Sequence, residues 1–249
     1  MLVPMWRLAL LGMIACGRID FAAIEVVPSD TVVPDSGLTP FHRYRFNNNL
    51  DDDFGGPPLD ALTLGTFVSS GYQFAIDGGL TLPITTGFPS AAYTVDIVFA
   101  FDAVTNWRKI LDFDGGGLDR GLYVYEGALQ QVIIPNGAPA PDFETSATVF
   151  TATAMARVTI TRDAADHVVG YVNTMPIGSV RANVETVPTA PTGSFAFDDP
   201  MGTARLNAAT ARWFVDDTFT TGNEASSGTV RQITIWDVAL TAAQVAALQ

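Results

Sequence analysis

The chain is 249 residues long, 48% hydrophobic and only 16% charged, with 22 glycines and 15 prolines. That composition excludes a coiled coil and a charge-rich disordered tail and leaves a turn-rich globular chain able to bury a large core. Lys and Arg number 13 against 26 Asp and Glu, a net charge of −13, and Lys109 is the only lysine. Nonspecific nucleic-acid binding is excluded with it, because counterion release needs a basic face.

Residues 1–15 carry Arg7 and then an apolar stretch, the pattern of a secretory signal peptide too short for a stable membrane span. Met13-Ile14-Ala15-Cys16 resembles the lipobox of bacterial lipoproteins, whose cysteine is lipidated and becomes the mature N-terminus; Met13 departs from the usual Leu, Val or Ile. The alternative is an ordinary signal peptide that leaves a free thiol. Cys16 is the one cysteine of the chain, which excludes an internal disulfide and a multi-cysteine zinc site. Gly17 stands where an inner-membrane retention signal has Asp, so the expected address is the outer membrane or cell surface of a bacterium. Residues 16–40 hold no convincing period and carry Pro28, Pro34 and Pro40, the character of a lipidated N-terminus followed by a flexible tether.

From residue 41 onward strand signals recur at short spacing. Tyr44 and Phe46 alternate with Arg43 and Arg45; Tyr72, Phe74 and Ile76 lead into the Asp77-Gly78-Gly79 turn; residues 80–84, 93–101 and 122–125 are rich in β-branched and aromatic side chains. Residues 158–161 and 168–173 flank a polar turn at 163–166 and predict a hairpin, and residues 230–236 form the last strand candidate. Only the C-terminus reads as helix, with Thr241 and Gln244 as a capping box and Val245 and Leu248 three apart. The prediction is an all-β fold, a two-sheet antiparallel jelly-roll sandwich over residues 41–249 closed by one short helix.

The order Tyr44-x-Phe46, Gly79-Leu80-x-Leu82, Tyr93-Thr94-Val95, Trp107 through Phe113, Gly121-Leu122-Tyr123-Val124, Gly170-Tyr171-Val172-Asn173, Phe214-x-Asp216-Asp217, Glu224-x-Ser226-x-Gly228-x-Val230 and Ile233-x-Ile235-Trp236-Asp237-x-Ala239-Leu240-Thr241 resembles the laminin G-like or pentraxin-like jelly rolls of the concanavalin A-like lectin and glucanase superfamily. The resemblance implies two face-to-face sheets, one of them curved with a concave side able to hold a ligand. It names no ligand, since one fold hosts many functions.

Enzyme chemistry finds little support. Retaining glycosidases of this superfamily carry Glu-x-Asp-x-x-Glu along a strand, which sets two carboxyl groups about 5 Å apart. None of Glu25, Glu126, Glu144, Glu185 and Glu224 has an acidic partner at that spacing. There is no Gly-x-Ser-x-Gly elbow, and the two histidines, His42 and His167, both read as solvated strand-edge residues. The expectation is a non-enzyme.

Calcium, a hard cation that prefers several oxygen ligands, is the one cofactor the acids suggest. Asp112-Phe113-Asp114-Gly115-Gly116-Gly117 opens like an EF-hand loop but lacks the closing glutamate, position twelve being Tyr123. Superfamily glucanases carry a calcium-binding Asp in the final strand, and Arg231 stands at the matching position here. Asp216, Asp217 and Glu224 remain as a candidate metal loop, or as acids that cap turns.

Sugar recognition pairs an aromatic face with a few polar groups. Trp107, Tyr123, Tyr125 and Trp213, with Arg108 or Arg120 for hydroxyls or carboxylates, are the candidate ligand-binding residues; core packing is the alternative for each aromatic. The leading expectation is a surface-anchored lipoprotein with a lectin-like module for polysaccharide or other glycan, held to the membrane by its lipid. A protein–protein adhesion module of the same fold is the alternative, and a glycan-active enzyme is third.

Overall fold

The computed structural model describes residues 39–83, 88–133, 143–144, 149–174, 193–199, 202–206, 210–218 and 223–248. Cys16, the expected signal peptide and residues 16–38 of the expected tether lie outside them. Two compact units divide the chain, Met1–Val32 and Val33–Gln249, and the second holds every described residue. Among the described residues no helix is long and apolar enough to cross a membrane.

The elements in chain order are β1 (His42–Tyr44), β2 (Asp60–Ala61), β3 (Thr66–Val68), β4 (Gly71–Phe74), β5 (Leu80–Pro83), β6 (Tyr93–Phe101), β7 (Trp107–Asp112) and β8 (Arg120–Tyr125). They continue with β9 (Ala128–Ile133), β10 (Phe143–Glu144), β11 (Ala156–Arg162), β12 (His167–Thr174), β13 (Gly193–Asp198), β14 (Thr210–Trp213), β15 (Gly228–Trp236) and α1 (Ala242–Ala247). One sheet runs β13-β12-β11-β6-β15-β4-β3, with β1 also on β15; the other runs β10-β9-β8-β7-β14-β5-β2. All described pairings are antiparallel. The predicted jelly-roll sandwich with one C-terminal helix is the fold observed, and the hairpin expected around residues 163–166 joins β11 to β12.

The core lies between the sheets. Val95, Ile97, Phe99 and Phe101 of β6 enter it from one side; Leu111 of β7 and Leu122 and Val124 of β8 enter from the other. Phe74 and Phe214 stack across it with ring centroids 4.4 Å apart. Each such side chain, fully withdrawn from water, contributes about 1.5–3 kcal/mol.

All nine residues of β6 are buried, so the strand shows no polar alternation. On the outer face of the same sheet Asp96 of β6 is enclosed by Arg157 at 3.3 Å and the Thr159 hydroxyl at 2.7 Å, and beside them Tyr171, Trp236, Leu240 and Val245 of α1 form a second, smaller apolar cluster. Thr241 caps α1 as its spacing predicts, accepting from Gln244 N while the Gln244 side chain returns to the Thr241 N–H. The Thr94 hydroxyl ties the approach to the helix, donating to Val238 O and accepting from Leu240 N, each at 2.8 Å.

His42 departs from expectation. It is 7% exposed, and its Nδ1 lies 2.8 Å from Asp52 Oδ2. Asp52 also accepts from the N–H groups of Arg43, Phe54 and Gly56, so residues 52–56 fold back over β1 and take the histidine out of solvent. His167 is exposed, as expected, beside Asp198.

Candidate functional site

β7 carries two chemistries side by side, an aromatic pair at its first residue and a buried charge cluster from its third. The pair arises from register: Trp107 opposes Tyr125 of β8, and their rings stack at 4.2 Å with 26° between planes. Tyr123, two residues earlier on the same face of β8, meets Trp107 edge-on at 5.6 Å. Leu122 and Val124 point to the core, so alternation sends Tyr123 and Tyr125 to the outer face, as the sequence suggested. Trp107 and Tyr125 are partly exposed, whereas Tyr123 is fully buried. The tight turns flanking the pair are joined by Asn106 N donating to Glu126 Oε1 at 2.8 Å.

Tyr123 is covered by what surrounds Lys109. The Lys109 side chain is wholly buried, with its ammonium 2.5 Å from Asp217 Oδ2, 3.2 Å from Asp112 Oδ2 and 4.0 Å from Asp119 Oδ1. It also lies 5.0 Å from the centroid of the Tyr123 ring. The Tyr123 hydroxyl donates to Asp119 Oδ1. Glu224 joins from the segment before β15; one oxygen each from Asp119, Asp217 and Glu224 lie within 4.8 Å of one another. Glu224 Oε2 is buried without a hydrogen-bond partner.

Two loops build this cluster. In the first, Asp112 Oδ1 accepts from Asp114 N and Gly116 N, and Gly115 and Gly116 take positive φ, so the chain after β7 curls over its own end. In the second, Asp216 accepts from Asp217 N at 2.9 Å and Glu224 N at 3.0 Å. Arg212 ties the two, donating to Gly115 O and Asp216 O, while the Thr218 hydroxyl donates to Gly116 O.

One ammonium among four carboxylates leaves an excess of negative charge away from water. Burial and the neighbouring Asp119 push the Glu224 carboxyl up to about 7, against which Lys109 acts only partly. Burial likewise raises Asp119 and Asp216, and it raises the Tyr123 hydroxyl with help from Asp119 and Glu224. Carboxylate oxygens are what a hard cation takes, and three of them are close enough to share one. The trio differs from the expected metal loop: Asp119 replaces Asp216, whose oxygens serve backbone N–H groups. The positive charge at this place is supplied by Lys109.

Other candidates are dispersed. Arg108 sends Nη1 to the carbonyls of Asn223 and Ala225, each at 3.0 Å, on the wall of a pocket of about 300 Å³ shared with Asp102, Ser226 and Ser227. Trp213 is 0% exposed within the core and offers no face to a ligand. Lys109, Asp112 and Asp119 fall outside the binding and metal residues that the sequence predicts. The available signal was a lone lysine inside a strand pattern that otherwise reads as buried, since buried lysine demands a carboxylate.

Neither a protein-family model nor a curated protein matches the chain. Solved structures do. The botulinum neurotoxin serotype D binding domain superposes with a TM-score of 0.54 at 10% identity, over 84% of this chain and 50% of that one. The receptor binding domain of botulinum neurotoxin D gives 0.52 at 12%, over 83% and 51%. Trypanosoma rangeli sialidase gives 0.51 at 18%, over 87% and 33%. The chain thus spans about half the length of the toxin domains and a third of the sialidase, and at these identities what it shares with them is the β-sandwich fold.

Proposed function

We propose that the chain is a lectin-like, laminin G-like carbohydrate-binding module, displayed at the outer membrane or cell surface of a bacterium through a lipid on Cys16. The observation that carries the reading is the partly exposed Trp107–Tyr125 stack, since paired aromatic faces cover the apolar side of a sugar ring. The similar structures favour it: toxin binding domains, and a sialidase solved with sialic acid. A catalytic role has weaker support. The close carboxylates Asp119 and Glu224 are only 5% and 9% exposed, and Lys109 and Tyr123 beside them are fully buried, an enclosure that suits a structural charge cluster better than a substrate site.

Glycan-array binding by the full-length chain, with calcium and with chelator, tests the module. Selective binding lost on Trp107→Ala with the fold intact supports it; binding unchanged in that variant removes the aromatic platform. Labelling with a radioactive fatty acid tests the anchor, and label retained in Cys16→Ala would overturn it.

One observation favours a protein–protein adhesion module instead. Leu62 and Leu64 lie two residues apart in one loop, 49% and 91% exposed, and Ile76 is 54% exposed. Silence on the array from folded protein would shift the reading to that surface.

A further inference from the structure

β15 changes partners part-way along one edge. Residues 228–230 pair with β4 and residues 233–235 pair with β1, so Arg231 and Gln232 have no strand partner there. On the opposite edge the register against β6 slips at the same point: Val230 faces Phe99 and Gln232 faces the adjacent Val98. Arg231 is therefore the extra residue of a β-bulge, a device that bends a strand and re-aims a side chain. Where β4 and β1 part, a cleft of about 540 Å³ opens, lined by residues 45–48 after β1, residues 67–71 of the β3–β4 hairpin, and Arg231 and Gln232.

The backbone around the cleft is specialised. Gly71 has φ of +136°, and a Cβ there would overlap the Val230 carbonyl, so only glycine lets the hairpin tip close on the bulge. Phe46 and Asn48 also take positive φ, 54° and 62°. That conformation is costly for phenylalanine and is held by its burial and its stacking on Tyr72 at 6.2 Å.

The lining is polar, with Asn47, Asn48, Ser69, Ser70 and Gln232; Phe67 also lines it, half-buried with its ring 5.1 Å from that of Tyr72. Arg45 is paired with Asp53, Nε to Oδ2 at 2.6 Å. Arg231 is exposed and makes no ion pair among the described residues, in a chain whose net charge is −13.

We propose that this cleft binds a carboxylated sugar, a uronic or sialic acid unit, whose carboxylate pairs with Arg231. A guanidinium matches a carboxylate through two parallel hydrogen bonds. Amide and hydroxyl side chains suit the sugar hydroxyls. A phosphate, carrying nearly two charges, calls for more cations than one unpaired arginine. The cleft lies on the β15 sheet and is distinct from the Trp107–Tyr125 platform on the β7 sheet.

Titration calorimetry of the full-length chain against trigalacturonate, sialyllactose, lactose and cellotriose tests this. The expected result is binding of one acidic oligosaccharide, which identifies the source of the carboxylate. Arg231→Gln, at an exposed position, should melt like the parent and weaken that binding at least about tenfold, the loss expected for a charge-assisted pair. Arg231→Lys, which keeps the charge and loses the two-pronged geometry, should retain part of it. Binding of neutral sugars alone overturns the inference and leaves the carbohydrate-binding reading standing. So does acidic-sugar binding undiminished in Arg231→Gln. Silence toward all four sugars overturns the inference as well.

Discussion

The Lys109 ammonium lies 2.5 Å from the Asp217 carboxylate, across 108 residues of chain, with both side chains fully shielded from solvent. This contact fastens β7 to the loop after β14, while Asp119 brings the loop before β8 to the same ammonium and Asp112 meets it from the end of β7 itself. Replacing the lysine leaves three buried carboxylates without their cation. Lys109→Met should cost about 3–5 kcal/mol at neutral pH, part of it recovered in acid as the carboxylates take protons. Denaturant unfolding reads the difference, and a loss below about 1 kcal/mol would mean the cluster relaxes into solvent.

Glu224 sets a pH dependence of definite sign. Its folded carboxyl titrates at about 7 against 4.5 for an ordinary glutamate, so between those values the folded chain holds a proton that the unfolded chain has lost. Stability from this group is complete below about pH 4.5 and declines as pH rises to about 7. Asp119 and Asp216, also raised, act in the same direction. Glu224→Gln should flatten the decline and raise the melting temperature above pH 7. An unchanged slope in that variant would remove Glu224 as its source.

Calcium should leave the parent protein's melting temperature where chelator leaves it, because the Lys109 ammonium occupies the acid cluster in the role a metal ion would fill. A rise with calcium that disappears in Glu224→Gln would show instead that Asp119, Asp217 and Glu224 bind a metal beside the ammonium.

Two tryptophans should separate binding from stability. Trp213 is completely enclosed, and Trp213→Ala should cost about 3–5 kcal/mol by opening a cavity. Trp107 is partly exposed, stacked on Tyr125 and edge-on to Tyr123, so Trp107→Ala should cost less than about 2 kcal/mol while abolishing the glycan binding that uses this stack. Comparing unfolding with glycan binding for the two variants decides this; equal destabilisation would return Trp107 to the core.

Local pattern carried a good deal of this protein. The run of residues 93–101 is β6, the spacing of Thr241 and Gln244 is the helix cap, and alternation along β8 places Tyr123 and Tyr125 on one face. Each depends on residues adjacent in the chain, where the period of two or the reach of a capping side chain is set by backbone geometry alone. Tertiary structure decided the partners. Trp213 and Trp107 look alike in sequence, yet one faces the opposing sheet and the other the outer surface. Asp119 reaches Lys109, and Asp52 encloses His42, only because particular strands and loops lie side by side. The cleft at Arg231 exists because β15 meets β4 and β1 in succession, and no composition or spacing encodes which strands will share an edge.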